Sequence, residues 1–286
     1  MQKNQQTQRL NGANMFAELK QFALKSLRKI WYSGYYLSVL TVVTIMFAWF
    51  FVSHLGLANP IFLPSPGSVI NIFWEVATVG YQGSTLLEHI GTSLYRILVA
   101  FFLACIVGIP LGVLMGTSRS AHRIFNPVIE FYRPLPPLGL YTLLVMWLGI
   151  GESSKLALLF LSGLPGIIIA TIQAVTDINP NYIRAAKSLG AGRWALIREV
   201  YLPGSGPTIL TGMRISLGFI YTVLVAAEIV AATAGIGWMI WDAAKFLLSD
   251  VVIMGLIVLG LTGMMMDQIL KVCGKLFMPW TRIKRS

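Results

Sequence analysis

Glu228 stands near the middle of the apolar run 213–234, where a carboxylate is costly and by default marks a pathway, a gate or a buried pair. Two readings stay open for it: an acid on a pathway or at a gate, and a structural acid hydrogen-bonded to Ser, Thr or Tyr neighbours. Gly108, Gly112 and Gly116 recur every four residues. That spacing sets all three on one helix face and lets another helix backbone approach closely. A third constellation lies in 176–212. Asn179-Pro180 offers an N-cap followed by proline at the first helical position. Residues 181–189 then place Tyr182, Ala185, Ala186 and Leu189 on one side of a short helix, and Gly190 suits the left-handed position that ends it. A second short helix over 193–201 carries Trp194, Ile197, Val200 and Tyr201 on an apolar stripe, and Leu202-Pro203 is expected to stop it. Two small helices around a glycine corner, with small alanines and an exposed aromatic, suit docking into a groove on a partner protein.

Other chemistry finds no support. The sequence holds no G-x-x-x-x-G-K-[ST] phosphate loop and no H-E-x-x-H, and His54, His89 and His122 are scattered. Gly190-Ala191-Gly192-Arg193-Trp194-Ala195 matches G-x-G-x-x-A, but a dinucleotide loop follows a buried strand, and a polar, helix-like segment precedes this one. Two cysteines, Cys105 and Cys273, make no disulfide framework and read as buried thiols. No catalytic, cofactor-binding or metal-binding residue is expected.

The elements that carry these residues are set by composition. Of 286 residues, 56% are hydrophobic and 12% charged, about half the charged share of a soluble domain. Six stretches approach the roughly 20 apolar residues of a membrane helix: 35–53, 97–116, 135–150, 156–175, 213–234 and 251–270. The expected fold is therefore an all-α integral membrane protein of about six transmembrane helices. The third stretch is the shortest and opens on Arg133-Pro134-Leu135-Pro136-Pro137, while Pro110 and Pro165 should kink the second and fourth. The 35–53 run reads as an uncleaved anchor. A weakly amphipathic stretch, 68–79, fits a helix on the membrane surface or a plain packed helix, and the Gln/Asn-rich first dozen residues are expected to be disordered.

Charge orients the spans. The net charge is +11, from 22 Lys+Arg against 11 Asp+Glu. With a cytoplasmic N-terminus, the 1–34 arm, the 117–134 and 176–212 segments with Arg214, and the tail from Lys271 hold every positive residue except Arg96, Lys155 and Lys245. Such a bias is the positive-inside rule, with both termini in the cytoplasm. The basic excess is a topology signal and not a nucleic-acid footprint.

The 176–212 segment also carries a resemblance. Arg184-Ala185-Ala186-Lys187-Ser188-Leu189-Gly190, nine residues, then Val200-Tyr201-Leu202-Pro203 resembles the E-A-A-x-x-x-G-x(9)-I-x-L-P loop of permease subunits of binding-protein-dependent ABC importers. Arg184 stands where that pattern has Glu, and Val200 where it has Ile. Glu130-Phe131-Tyr132-Arg133-Pro134-Leu135-Pro136-Pro137, the run Trp147 to Lys155, and Ala226-Ala227-Glu228 with Gly235-Ile236-Gly237 are similar to the taurine, alkanesulfonate and nitrate branch, and most of all to its taurine-type members.

The resemblance implies a type I importer transmembrane domain in a bacterial inner membrane. It divides the chain into a basic cytoplasmic arm (1–34), a first transmembrane helix (35–53), a periplasmic connection (54–89), a core (90–273) with the coupling loop 176–212, and a basic cytoplasmic tail (274–286). It implies a pore made with a second copy of the chain and a periplasmic substrate-binding protein delivering solute. Two cytoplasmic ATPase subunits, holding ATP and Mg themselves, would dock on Arg184, Ala185, Ala186, Leu189, Gly190, Val200, Leu202 and Pro203. The chain is then no enzyme, and taurine or a related sulfonate is the expected solute, with nitrate, bicarbonate or another small organic solute as the alternative.

Overall fold

The computed structural model describes residues 35–230 and 232–280. The arm 1–34, with its expected disorder, and the basic residues Arg282, Lys284 and Arg285 lie outside them. The chain divides into two compact units, Met1–Pro66 and Gly67–Ser286.

In the first unit, helix α1 (Tyr35–His54) is 20 residues long and almost wholly apolar. At 1.5 Å per residue it measures about 30 Å, the thickness of a bilayer core. Thr41 and Thr44 return their hydroxyls to the carbonyls of Leu37 and Leu40, each at 2.8 Å, so neither is left unsatisfied among apolar neighbours. The Trp49 indole N–H donates to the Pro64 carbonyl at 3.0 Å.

The second unit is helical among its described residues. Its elements are α2 (Pro66–Thr78), α3 (Leu86–Thr117), α4 (Arg119–Tyr132), α5 (Pro137–Leu148), α6 (Glu152–Thr176), α7 (Pro180–Ser188), α8 (Arg193–Leu196), a π-helical turn (Ile197–Tyr201), α9 (Leu202–Ile229), α10 (Ile236–Lys245) and α11 (Ser249–Phe277). On α2, Val69 and Val76 are buried while Ile70 and Trp74 are exposed. The α3 start is fixed by a capping box. Thr85 Oγ1 accepts from the Glu88 N–H, and the Glu88 carboxylate accepts from the Thr85 N–H at 2.7 Å. That cap starts the helix eleven residues before the apolar run at 97. Segment 117–134, expected as a loop, is mostly the helix α4, whose N-cap is Ser118.

Helix α6 is the centre of the bundle. Gly108, Gly112 and Gly116 of α3 face Ile167, Thr171 and Val175 of α6 in constant register, so the glycine ladder meets a helix of the same chain running in the same direction. Gly163, Gly166 and Ala170 face Ile220, Ser216 and Gly212 of α9, which runs the opposite way. Ile97, Phe101, Leu158, Ile167, Ile220 and Leu224 form the core between these helices. A Cβ on Gly112 would lie 2.5 Å from Thr171 Cβ, and forcing such a helix pair apart costs about 1–3 kcal/mol. Gly112→Val is therefore expected to lower the thermal midpoint of the detergent-solubilised protein by several degrees. Gly218→Ala, whose methyl would meet nothing within 4 Å, should not lower it.

Three boundaries differ from expectation. Among the described residues, five helices, α1, α3, α6, the continuous 193–229 rod and α11, are long and apolar enough to cross a membrane. The expected span 135–150 is instead the 12-residue α5, about 18 Å long and short of a bilayer core. Pro137 opens it, and Gly149, at φ +79°, ends it. Pro203 does not stop the helix before it. The π turn Ile197–Tyr201 widens the hydrogen-bond ring, with Leu202 N–H bonded back to Ile197 O, and the rod runs on through the proline. Finally, α9 ends at Ile229, which puts Glu228 in its last turn and not near the middle of a span.

Candidate functional site: a docking elbow and a buried charge cluster

The elbow is built by local caps. Asn179 Oδ1 accepts from the Asn181 N–H at 2.9 Å, and Pro180 opens α7 where a missing N–H costs nothing. At the other end Gly190 sits at φ +86°. Its N–H bonds Lys187 O and the Ala191 N–H bonds Ala186 O, both at 3.0 Å, which is the paired pattern that closes a helix on a left-handed glycine. The chain then turns straight into α8, the π turn and α9. Arg184, Ala185, Leu189 and Gly190 are exposed; Ala186, Val200 and Pro203 are half-buried, and Leu202 is exposed. Leu189 is 89% exposed, Trp194 75% and Tyr182 68%. Three large apolar side chains held in water by a capped frame form a surface with the composition of an interface core.

The opposite ends of α3, α6 and α9 converge on Arg96, whose side chain is 3% exposed. Its Nε and Nη2 take both carboxylate oxygens of Glu152 at 2.8 and 2.7 Å. Its Nη1 donates to Glu228 Oε1 at 2.7 Å and to Ala234 O at 2.9 Å. Lys155 Nζ reaches Glu152 Oε1 at 3.0 Å. Glu228 is wholly buried. It accepts further from Ser93 Oγ at 2.8 Å and from the Gly237 and Trp238 N–H groups at 2.7 and 3.3 Å. The carboxylate thus sits on the N-terminal turn of α10, where a negative charge is favoured. Ser93 Oγ accepts from the Ile236 N–H at 2.8 Å, and His89 Nδ1 accepts from the Gly235 N–H at 3.1 Å. With Nδ1 an acceptor, the His89 proton is on Nε2, 3.3 Å from Tyr81 O. The Tyr81 hydroxyl donates to Asp242 Oδ2 at 3.2 Å. Burial, and then the Asp242 carboxylate, push the Tyr81 phenol up to about 12, so it stays a donor.

Of the sequence-derived residues, the elbow set falls on one surface and Glu228 lies in the cluster at the far end, while the glycine ladder packs between them. The cluster's other members, Arg96, Glu152, Lys155, Ser93 and His89, were not anticipated. Neither was the ion pair of Arg214 Nε with Asp267 Oδ1 at 2.6 Å, to which Lys271 adds 2.6 Å on Oδ2. Between α5, α6 and α9 lies a groove of about 570 Å³ with Arg133, Ser162, Gln173, Ile169 and Phe219 among its walls.

Comparison with known proteins places this arrangement among transport proteins. A family model described as the binding-protein-dependent transport system inner membrane component matches residues 108–276. The chain is similar to the taurine transport system permease protein TauC of Escherichia coli, 40% identical over 245 residues, 85% of this chain and 89% of that one. It is 33% identical over 238 residues to the putative aliphatic sulfonates transport permease protein SsuC of E. coli, 83% of this chain and 89% of that one. With the nitrate import permease protein NrtB of Synechocystis it shares 30% over 222 residues, 76% of this chain and 81% of that one. In fold it is similar to the inward-facing MetNI methionine ABC transporter, with a TM-score of 0.55 at 19% identity over 65% of this chain and 95% of that one.

Proposed function

This chain belongs to the inner membrane components of binding-protein-dependent transport systems, and on that premise we propose that it forms the translocation pathway of an ATP-driven importer for taurine or a related small sulfonate. As a member of that family it is a multi-pass membrane transport subunit and not an enzyme. ATP is hydrolysed on a separate ATPase subunit. In our reading two such subunits, which hold ATP and Mg, lie in the cytoplasm and grip the elbow of each of two copies of this chain. A periplasmic binding protein delivers solute at the end where Arg96 and Glu228 lie. Both termini are cytoplasmic, with the chain recrossing the membrane through 118–151 between the parallel α3 and α6, and the basic bias of the elbow side supports this. The solute passes along the groove that holds Arg133, Ser162 and Gln173.

The observation that carries this reading is the elbow, which is exposed, capped at both ends and joined without a break to α9. Tyr182→Ala and Trp194→Ala should leave stability within about 0.5 kcal/mol, as substitutions of exposed side chains do. The pair should nevertheless lower ATPase co-purification at least tenfold. Equal recovery of the ATPase would remove the elbow from coupling. The substrate is tested by uptake into proteoliposomes holding the chain with its ATPase and binding protein. Taurine or ethanesulfonate uptake that needs ATP is expected. Uptake of nitrate alone would assign the chain to the nitrate-type members, and no ATP-dependent uptake of any of the three would overturn the proposal.

A further inference from the structure

We infer that Arg96 and Lys155 form an exchange site for a monovalent oxyanion, a sulfonate foremost, which Glu152 occupies as the chain's own stand-in. The inference rests on the importer reading above. Exposure is the first ground. The Arg96 and Lys155 side chains are each 3% exposed, while the Glu152 side chain they share is 49% exposed. Two dry, fixed cations therefore face one anion at the rim.

Geometry is the second ground. Arg96 commits Nη1 to Glu228 and to Ala234 O, which locks the guanidinium plane. The other edge, the fork of Nε with Nη2, holds both Glu152 oxygens. Such a fork accepts any oxyanion that presents two oxygens side by side, a sulfonate as well as a carboxylate. Charge is the third. Glu152 brings one negative charge to Arg96 and Lys155, so its withdrawal leaves the cluster one negative charge short. A monoanion restores that balance, whereas a dianion overshoots it, and uncompensated charge is costly where the groups are desolvated.

Glu152 is also placed to leave. It is the first residue of α6, behind Gly149 at φ +79° and Gly151, and that helix start has no side-chain cap. The positive end of the α6 dipole at that start favours an anion there.

The test is isothermal titration of the full chain in lipid nanodiscs with sodium ethanesulfonate, with sodium sulfate as the dianion. Glu152→Ala should bind ethanesulfonate at least tenfold more tightly than the unaltered chain, because the built-in competitor is gone. Glu152→Gln, which keeps the side-chain shape, should show a gain in the same direction. Adding Lys155→Gln to Glu152→Ala should abolish the gain, and sulfate should gain less than ethanesulfonate. Affinity unchanged in both Glu152 variants, no binding by any of the proteins, or an equal gain for sulfate would overturn the site. Uptake by the assembled transporter separates this failure from that of the premise: normal sulfonate uptake with unchanged affinities sinks the exchange site and leaves the importer standing. Absent uptake sinks the importer reading, while the affinities still decide the site.

Discussion

Gly190→Pro is expected to reduce ATP-dependent uptake at least tenfold while the helical membrane core stays folded. Proline holds φ near −65°, and Gly190 sits at +86°. The substitution also deletes the N–H that bonds Lys187 O at 3.0 Å. Neither loss can be absorbed in place, so α7 must leave its present angle to α8. Because nothing else lies within 4 Å of the position a Cβ would take at Gly190, the damage is confined to backbone direction. Gly190→Ala provides a graded control, since an alanine in the left-handed region costs about 1–2 kcal/mol but keeps the N–H. Uptake should fall in the order glycine, alanine, proline, with ATP hydrolysis either lost with docking or continuing without transport. A proline variant that couples normally would remove the elbow from the mechanism.

Arg96→Leu should be strongly destabilising. It strands Glu228 in a fully buried site, and breaking a buried ion pair from one side costs about 3–5 kcal/mol. The expected readout is a large fall in the thermal midpoint and in the yield of monodisperse protein. Glu228→Gln is milder, because the amide oxygen can still accept from Arg96 and Ser93, although its NH2 then faces the Gly237 and Trp238 N–H groups. That variant should assemble but transport more slowly. The double variant Arg96→Leu/Glu228→Gln should cost less than the sum of the two, as coupled neighbours do. Strict additivity would show that the 2.7 Å contact contributes little.

What could be read from residue order, and what could not, divides by how local its cause is. The elbow was legible because its determinants sit within a few positions of one another: Asn179 and Pro180 at one end, Gly190 at the other. The all-helical membrane architecture was legible from apolar runs of bilayer length. Proline at 203 misled because a helix-breaking rule assumes regular i to i−4 bonding, and the π turn before it removes that assumption. The apolar run 213–234 overshoots because Ala231 to Ala234 continue it, and hydropathy cannot register that the helix ends at Ile229. Span three was drawn by the same measure across Pro136 and Gly149, the two residues that confine it to 12. Arg96 and Glu228 are 132 positions apart, so their pairing was out of reach. A signal was nevertheless present. The three basic residues that broke the charge bias, Arg96, Lys155 and Lys245, are all ion-paired, with Glu152 and Glu228, Glu152, and Asp242. Asp267 likewise announced itself through Lys271 four residues on.

The rod from Arg193 to Ile229 has 37 residues, so it is about 55 Å long. One end carries Trp194 of the docking surface, and the other carries the carboxylate that caps α10. Mechanically it is a continuous helical beam between those two ends, with its bonding pattern altered at the π turn 197–201 and with Pro203 and Pro207 along it. A tilt of about 5° about its foot displaces the far end by roughly 5 Å. That is more than a hydrogen bond can follow, so the Glu228 contacts to Arg96 and Gly237 must travel with the beam or part. Under the docking proposed above, an ATPase stroke at the elbow would become a choice, at the far end of the beam, of which of those contacts survives.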